Sequence, residues 1–237
     1  MVEDQVVWSP DGAARWLAEA LETGNALIAL PDDIAPRNAT EGRDVAFAVL
    51  ERLEIPPCGI RLLYRPGADT LIGPMIEGRL VPAGTPIALN ALRHPMLTAA
   101  AIGVLAAPLD PDSEEAPCFA TLHPALDVSA TRHAEVARDT ATLTADLALL
   151  GLVVAGRGKA LVPMPVPASL GAKGGRRAAV ARDLAAAFAE AASAARSLGG
   201  LPAGGLLVVA GLTPAVHAMG TVTASLGPLG RVAADFA

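Results

Sequence analysis

A chain of 237 residues, 52% hydrophobic but only 3% aromatic, can bury one large core built from alanine and aliphatic side chains, and its composition excludes disorder. Eighteen basic against 24 acidic residues give a net charge of −6, which offers no footprint for phosphate backbones or anionic lipid and argues against nucleic-acid and membrane partners. Cys58 and Cys118 are the only cysteines and form no CxxC pair, which excludes a disulfide framework and reactive thiols. With an N-terminal MVEDQVVWSPDG that lacks the basic and apolar stretches of a leader, the expectation is a reduced, cytoplasmic setting.

In chain order, Ser9-Pro10 ahead of DGAARWLAEALETG predicts a first helix, with a capping serine, proline at the first helical position and Gly24 as the stop. A second helix follows Asn38 or Thr40, carries Val45, Val49 and Leu53 on one face, and is closed by Pro56-Pro57. Between 59 and 90 short apolar stretches alternate with Pro and Gly, the pattern of strands and turns, and apolar segments of strand length recur in 79–105 and 122–128. The apolar run Met96–Ala107 lies between Pro95 and Pro108 and is shorter than the ~20 residues of a spanning helix.

Residues 147–155 fit either a buried strand or the end of a helix. VPMPVPASLGAKGG reads as a proline-rich connection into a helix over 177–198, with Val180, Leu184, Phe188, Ala191, Ala195 and Leu198 on one face and Gly199-Gly200 at its end. The glycine-rich Gly171–Arg177 stretch ahead of that helix lacks the P-loop pattern and reads as a solvated loop rather than a phosphate site. The remainder, from Gly205 on, reads as three strands.

A long helix, a Gly-bounded strand, Leu212-Thr213-Pro214, then Gly220-Thr221-Val222 and Gly227-Pro228-Leu229-Gly230-Arg231 together resemble the end of the fumarylacetoacetate hydrolase-fold family, in its 2-keto-4-pentenoate hydratase and decarboxylase branch. Ile72-Gly73-Pro74-Met75, His94-Pro95-Met96-Leu97-Thr98-Ala99-Ala100, Pro124 to Arg132, and Asp139 to Gly151 resemble further segments of that branch in the right order. The resemblance implies an α+β fold, a mixed curved β-sheet or β-roll with peripheral helices. It has 1–58 as an N-terminal helical segment packed on a β-rich 59–237, the two forming a single structural unit. It also implies an oligomer of this chain or assembly with a related enzyme.

Members of the family hold a divalent cation, Mg²⁺ or Mn²⁺, through a Glu-x-Glu pair and a later acid. Residues i and i+2 of a strand share a face, so such a pair presents two oxygens together to a hard cation. The resemblance places those ligand positions on Thr98, Ala100 and Asp127, of which only Asp127 is an acid, so no metal and no other cofactor is expected unless the family's dependence persists. Arg61 falls where the hydratases carry a lysine; a guanidinium binds an anion but cannot serve as a base. The family's loop asparagine and serine fall on Leu147 and Leu149, and further polar positions on Leu206 and Ala210.

The candidate catalytic residues are therefore Arg61 and Asp127, with Arg61, Arg132 and His123 as candidate ligand-binding residues. Arg61, a cation among apolar neighbours, needs a partner, and Asp127 is the candidate for a structural ion pair. A compensating zinc site from His123, Asp127 and His133 matches no recognised spacing, and His94 and His217 read as surface or capping side chains. Three functions remain open: a catalytically silent protein that binds a small organic acid or partners an active enzyme, a lyase or hydrolase of 2-oxo acids with a rebuilt site, and a structural protein.

Overall fold

The computed structural model of the chain describes residues 8–172 and 178–237. Helix α1 (Pro10–Thr23) begins where the Ser9 hydroxyl accepts a hydrogen bond from the Asp11 N–H and ends at Gly24, whose φ of 72° suits a residue without Cβ. Helix α2 (Ala39–Arg52) starts from Asn38, which accepts from the Glu41 N–H. Both put an alanine- and valine-rich face inward, including Ala13, Ala14, Leu17, Val45, Ala46 and Val49.

The strands that follow are β1 (Pro57–Leu63), β2 (Leu71–Ile76), β3 (Leu80–Pro82), β4 (Met96–Leu105) and β5 (Phe119–Ser129). After α3 (Thr140–Ala145) come β6 (Leu150–Ala155), β7 (Pro165–Ala172), β8 (Val180–Asp183) and α4 (Leu184–Ser197). The chain ends with β9 (Leu206–Ala210), β10 (Val216–His217), β11 (Gly220–Leu226) and β12 (Arg231–Phe236). The main sheet runs β2-β1-β9-β4-β5-β6-β3 with β10 on β4, and a second sheet runs β12-β11-β7-β8. Parallel pairs β1/β9 and β3/β6 among antiparallel neighbours make the main sheet mixed. This is the α+β, curved-sheet architecture with peripheral helices that the sequence predicts.

Both faces of the main sheet are covered. Leu62, Ala99, Ala101, Leu126, Leu207 and Val209 pack against α4 and the second sheet. Their alternates Leu63, Ala100, Ala125 and Val208 pack beneath α1 and α2. Burial on both sides removes the polar alternation that would mark a half-exposed strand. Among the described residues no helix is long and apolar enough to cross a membrane.

Two expectations are corrected. The stretch 162–175 is not a bare connection, because Ala168–Ala172 of β7 ladders against β11. Pro165 and Pro167 precede that ladder and face β8 alone, where a missing N–H costs no bond to β11. The last long helix begins at Leu184 rather than 177, because Asp183 accepts from the Ala185 and Ala186 N–H groups and caps it there. Val180 belongs to β8, although its spacing to Leu184 also fits a helical face. Residues 173–177 of the glycine-rich stretch lie outside the described residues. Residues 147–155 resolve into one tight turn followed by β6, and the C-terminal strands gain the two-residue β10.

Close packing of β1 on β9 depends on Gly59, where an added Cβ would meet the Leu206 carbonyl oxygen at 2.0 Å, backbone against backbone. Gly59→Ala should therefore lower the stability measured by chemical denaturation by about 3 kcal/mol or more, since neither strand can yield without breaking the ladder.

Candidate functional site

Strand register assembles the site. Thr98 on β4 lies opposite Asp127 on β5, and Ala100 lies opposite Ala125. Arg61 on β1 lies opposite Val208 on β9, which lies opposite Ile102 on β4. Opposed residues share a face and alternate residues return to it, so Arg61, Thr98, Ala100, Asp127 and Ser129 all project to the side of the sheet that α1 and α2 cover.

There Arg61 and Asp127 form a fork-to-fork ion pair with no solvent exposure on either residue. Arg61 Nε donates to Asp127 Oδ1 and Nη2 to Oδ2, each at 2.6 Å. Nη1 donates to the Ala148 carbonyl at 2.7 Å, and Nη2 also reaches the Ser129 hydroxyl oxygen at 3.2 Å. Ser129 in turn donates to Asp127 Oδ2 at 2.9 Å. Bidentate geometry and added hydrogen bonds are what two desolvated charges require to coexist in a core.

The Ala148 carbonyl is presented by an unusual turn. Leu147, Ala148 and Leu149 all adopt left-handed φ, at 51°, 52° and 62°, without a glycine among them. Such a conformation costs a side-chain-bearing residue ~1–2 kcal/mol. The turn is held by the Arg61 bond, by the Leu149 N–H to the Asp146 carbonyl, and by the Ala130 N–H to the Leu149 carbonyl. It also needs Gly73 beneath it, because a Cβ there would come within 2.7 Å of Ala148 Cβ. Leu147 is buried in the core under the helices, while Leu149 reaches the adjoining cleft.

The side chains at the expected ligand positions do not fit a hard divalent cation. Thr98 Oγ1 accepts from the Gly211 N–H at 3.0 Å, Ala100 contributes a buried methyl group, and both Asp127 oxygens are engaged by guanidinium. Among the described residues no three His, Cys, Asp or Glu side chains gather to hold a metal. His123, Asp127 and His133 are not brought together among the described residues. Four residues of strand separate His123 from Asp127, roughly 13 Å, and His123 is tied to Thr121 and the Gly156 carbonyl. His133 is buried with its Nε2 unpartnered among the described residues, and desolvation pushes its pKa below the ordinary histidine value. His94 is exposed beside the Ala134 carbonyl, and His217 is exposed on β10.

Arg132 is drawn into a separate network rather than to Asp127. Its Nε reaches Asp146 Oδ1, its Nη2 the Asp146 carbonyl, and its Nη1 the Leu150 carbonyl at 2.6 Å. Thr131 donates to the same carboxylate at 2.6 Å. Two participants escaped the sequence reading. Ser129 is recoverable as the i+2 neighbour of Asp127 on a strand; Asp146 carried no local signal of its partner.

A cleft of about 170 Å³ opens beside the ion pair, lined by residues that include Leu63, Arg65, Met96, Thr98, Ser129 and Leu149. Tyr64 at its edge donates to Glu190 at 2.7 Å, and burial together with that bond pushes its pKa up. Arg65 donates from Nε to the Asp69 carbonyl at 3.0 Å and from Nη2 to Thr140 at 3.3 Å.

No family model matches the sequence, and no curated protein matches it significantly. In fold the chain is similar to 4-oxalocrotonate decarboxylase from Pseudomonas putida G7, solved with calcium and acetate, at a TM-score of 0.78 and 20% identity over 96% of this chain and 97% of that one. It is also similar to fumarylpyruvate hydrolase from Pseudomonas aeruginosa, solved with Mn²⁺ and pyruvate, at a TM-score of 0.54 and 15% identity over 77% and 89% of the two chains. A 5-carboxymethyl-2-hydroxymuconate delta-isomerase from Mycobacterium smegmatis gives 0.56 and 15% over 77% and 78%. The chain therefore has the fumarylacetoacetate hydrolase-type fold, in the form shared with the decarboxylase.

Replacing one member of the pair strands the other charge in the core. Arg61→Met or Asp127→Leu alone should each cost about 3–5 kcal/mol, while the double variant should lose markedly less than their sum; equilibrium unfolding of the three variants measures the difference.

Proposed function

We propose that this chain is a fumarylacetoacetate hydrolase-fold protein that does not perform divalent-metal enolate chemistry and instead binds a small organic acid in its apolar cleft. The observation that carries the reading is the Arg61 guanidinium seated on both oxygens of Asp127, with Thr98 and Ala100 as its only companions at the expected ligand positions. A cation that stabilises an enolate does so as a Lewis acid with open coordination positions. A guanidinium offers N–H donors but no open coordination position, and here those donors are directed at Asp127, Ala148 and Ser129.

The cleft retains the elements of acid recognition. Its walls are mainly apolar, from Leu63, Pro66, Met96, Val136 and Leu149, and Arg65 stands at its margin with donors to spare beyond Asp69 and Thr140. An acid with a short hydrocarbon body can lie along these walls with its carboxylate at Arg65. Solved proteins of the fold hold acetate, adipate and pyruvate alongside their metals. In this chain the acid would be bound without being converted.

Calorimetric titration with hexanoate should show saturable binding that weakens about tenfold in Arg65→Leu, the loss of one charge-assisted contact. A parallel panel of 2-oxo acids, with Mg²⁺ or Mn²⁺ added, should show no turnover. Turnover that disappears in Asp127→Asn would overturn the reading in favour of a rebuilt enzyme.

A further inference from the structure

A second cavity, of about 240 Å³, shares the Ala130–Thr131 wall with the cleft and opens toward the end of α1. Its polar lining consists of Arg79, Arg93, Arg132, Asn25, Asn90 and Thr131, and no carboxylate among the described residues lines it. In a chain with a net charge of −6, three guanidinium groups around one cavity form a local reversal of sign.

The three arginines are not equivalent. Arg132 is neutralised by Asp146, a carboxylate that lies behind it and is almost completely buried. Arg93 spends one donor on the Gly24 carbonyl at 3.1 Å. Arg79 sits partly buried and makes no side-chain hydrogen bond or ion pair among the described residues. Desolvation and the neighbouring charge of Arg132 push its pKa down, so its position is electrostatically unfavourable in the ligand-free protein. A half-buried cation without a counter-charge, facing a cavity whose other polar groups include amide and guanidinium donors, is the arrangement an oxyanion would complete.

We infer that this cavity is an anion site for a small molecule bearing a phosphate or dicarboxylate group, held by Arg79 with Arg93, Asn25 and Asn90 as further donors. It is separate from the acid-binding cleft. None of its arginines lines that cleft.

The test is thermal unfolding and calorimetric titration of wild type, Arg79→Gln and Arg93→Gln with sodium phosphate and with malonate, against sodium chloride at matched ionic strength. Wild type should show a saturable rise in Tm with one or both anions. Phosphate acting alone identifies a phosphate-bearing ligand, malonate alone a dicarboxylate, and both together a site for oxyanions in general. Arg79→Gln should weaken binding at least tenfold, while its Tm in chloride stays equal to that of wild type or rises, because an unpaired cation has been removed. Arg93→Gln should weaken binding less. The inference is overturned if neither anion gives a saturable response, if Arg79→Gln responds as wild type does, or if Arg79→Gln loses stability in chloride alone.

Discussion

A guanidinium and a carboxylate locked together in the core, on one face of the main sheet, constrain much of what surrounds them. Arg61 joins β1 to β5 through Asp127, although β9 and β4 lie between those strands in the sheet, and it reaches the turn before β6 through Ala148. Each partner alone would be an intolerable charge in a core of alanine, valine and leucine; together, with Ser129 and a backbone carbonyl, their donors and acceptors are largely satisfied. An ion pair of this kind adds little net stability over a well-packed apolar substitute. It does, however, tie β1, β5 and the turn before β6 to one another through side-chain contacts that the backbone ladders do not make.

The same interaction explains the left-handed turn at Leu147, Ala148 and Leu149. Backbone strain persists where surrounding contacts over-determine it, and here a charged donor fixes the central carbonyl while Gly73 leaves room beneath. In this chain the turn carries leucine on either side of alanine, so it closes the core and borders an apolar cleft.

How far sequence reading reached follows from the physics of each element. The caps of α1 and α2 were legible because serine, proline, asparagine and glycine act locally. Pairing of Arg61 with Asp127 was one of two readings, beside anion binding, because a cation in an apolar strand must find a counter-charge, and the fold was implied by the resemblance of glycine- and proline-bearing segments, in order, to a known family. Strand β7 was hidden by its prolines, and the start of α4 by the accident that Val180 continues a helical spacing into β8. Arg132 with Asp146, the left-handed turn, and the meeting of Arg79 with Arg93 and Arg132 arise from contacts between segments far apart in the chain, which no local pattern records.

If the Arg61 guanidinium holds the Asp127 carboxylate against competition, the protein takes up no divalent cation there. A titration of the purified protein with Mn²⁺, followed by the loss of free-ion electron paramagnetic resonance signal, tests it most directly. Wild type should leave the free Mn²⁺ signal proportional to the amount added, with no stoichiometric bound fraction. A bound fraction approaching one ion per chain at micromolar Mn²⁺, lost in Asp127→Asn, would mean that Arg61 yields the carboxylate to metal and would contradict the claim.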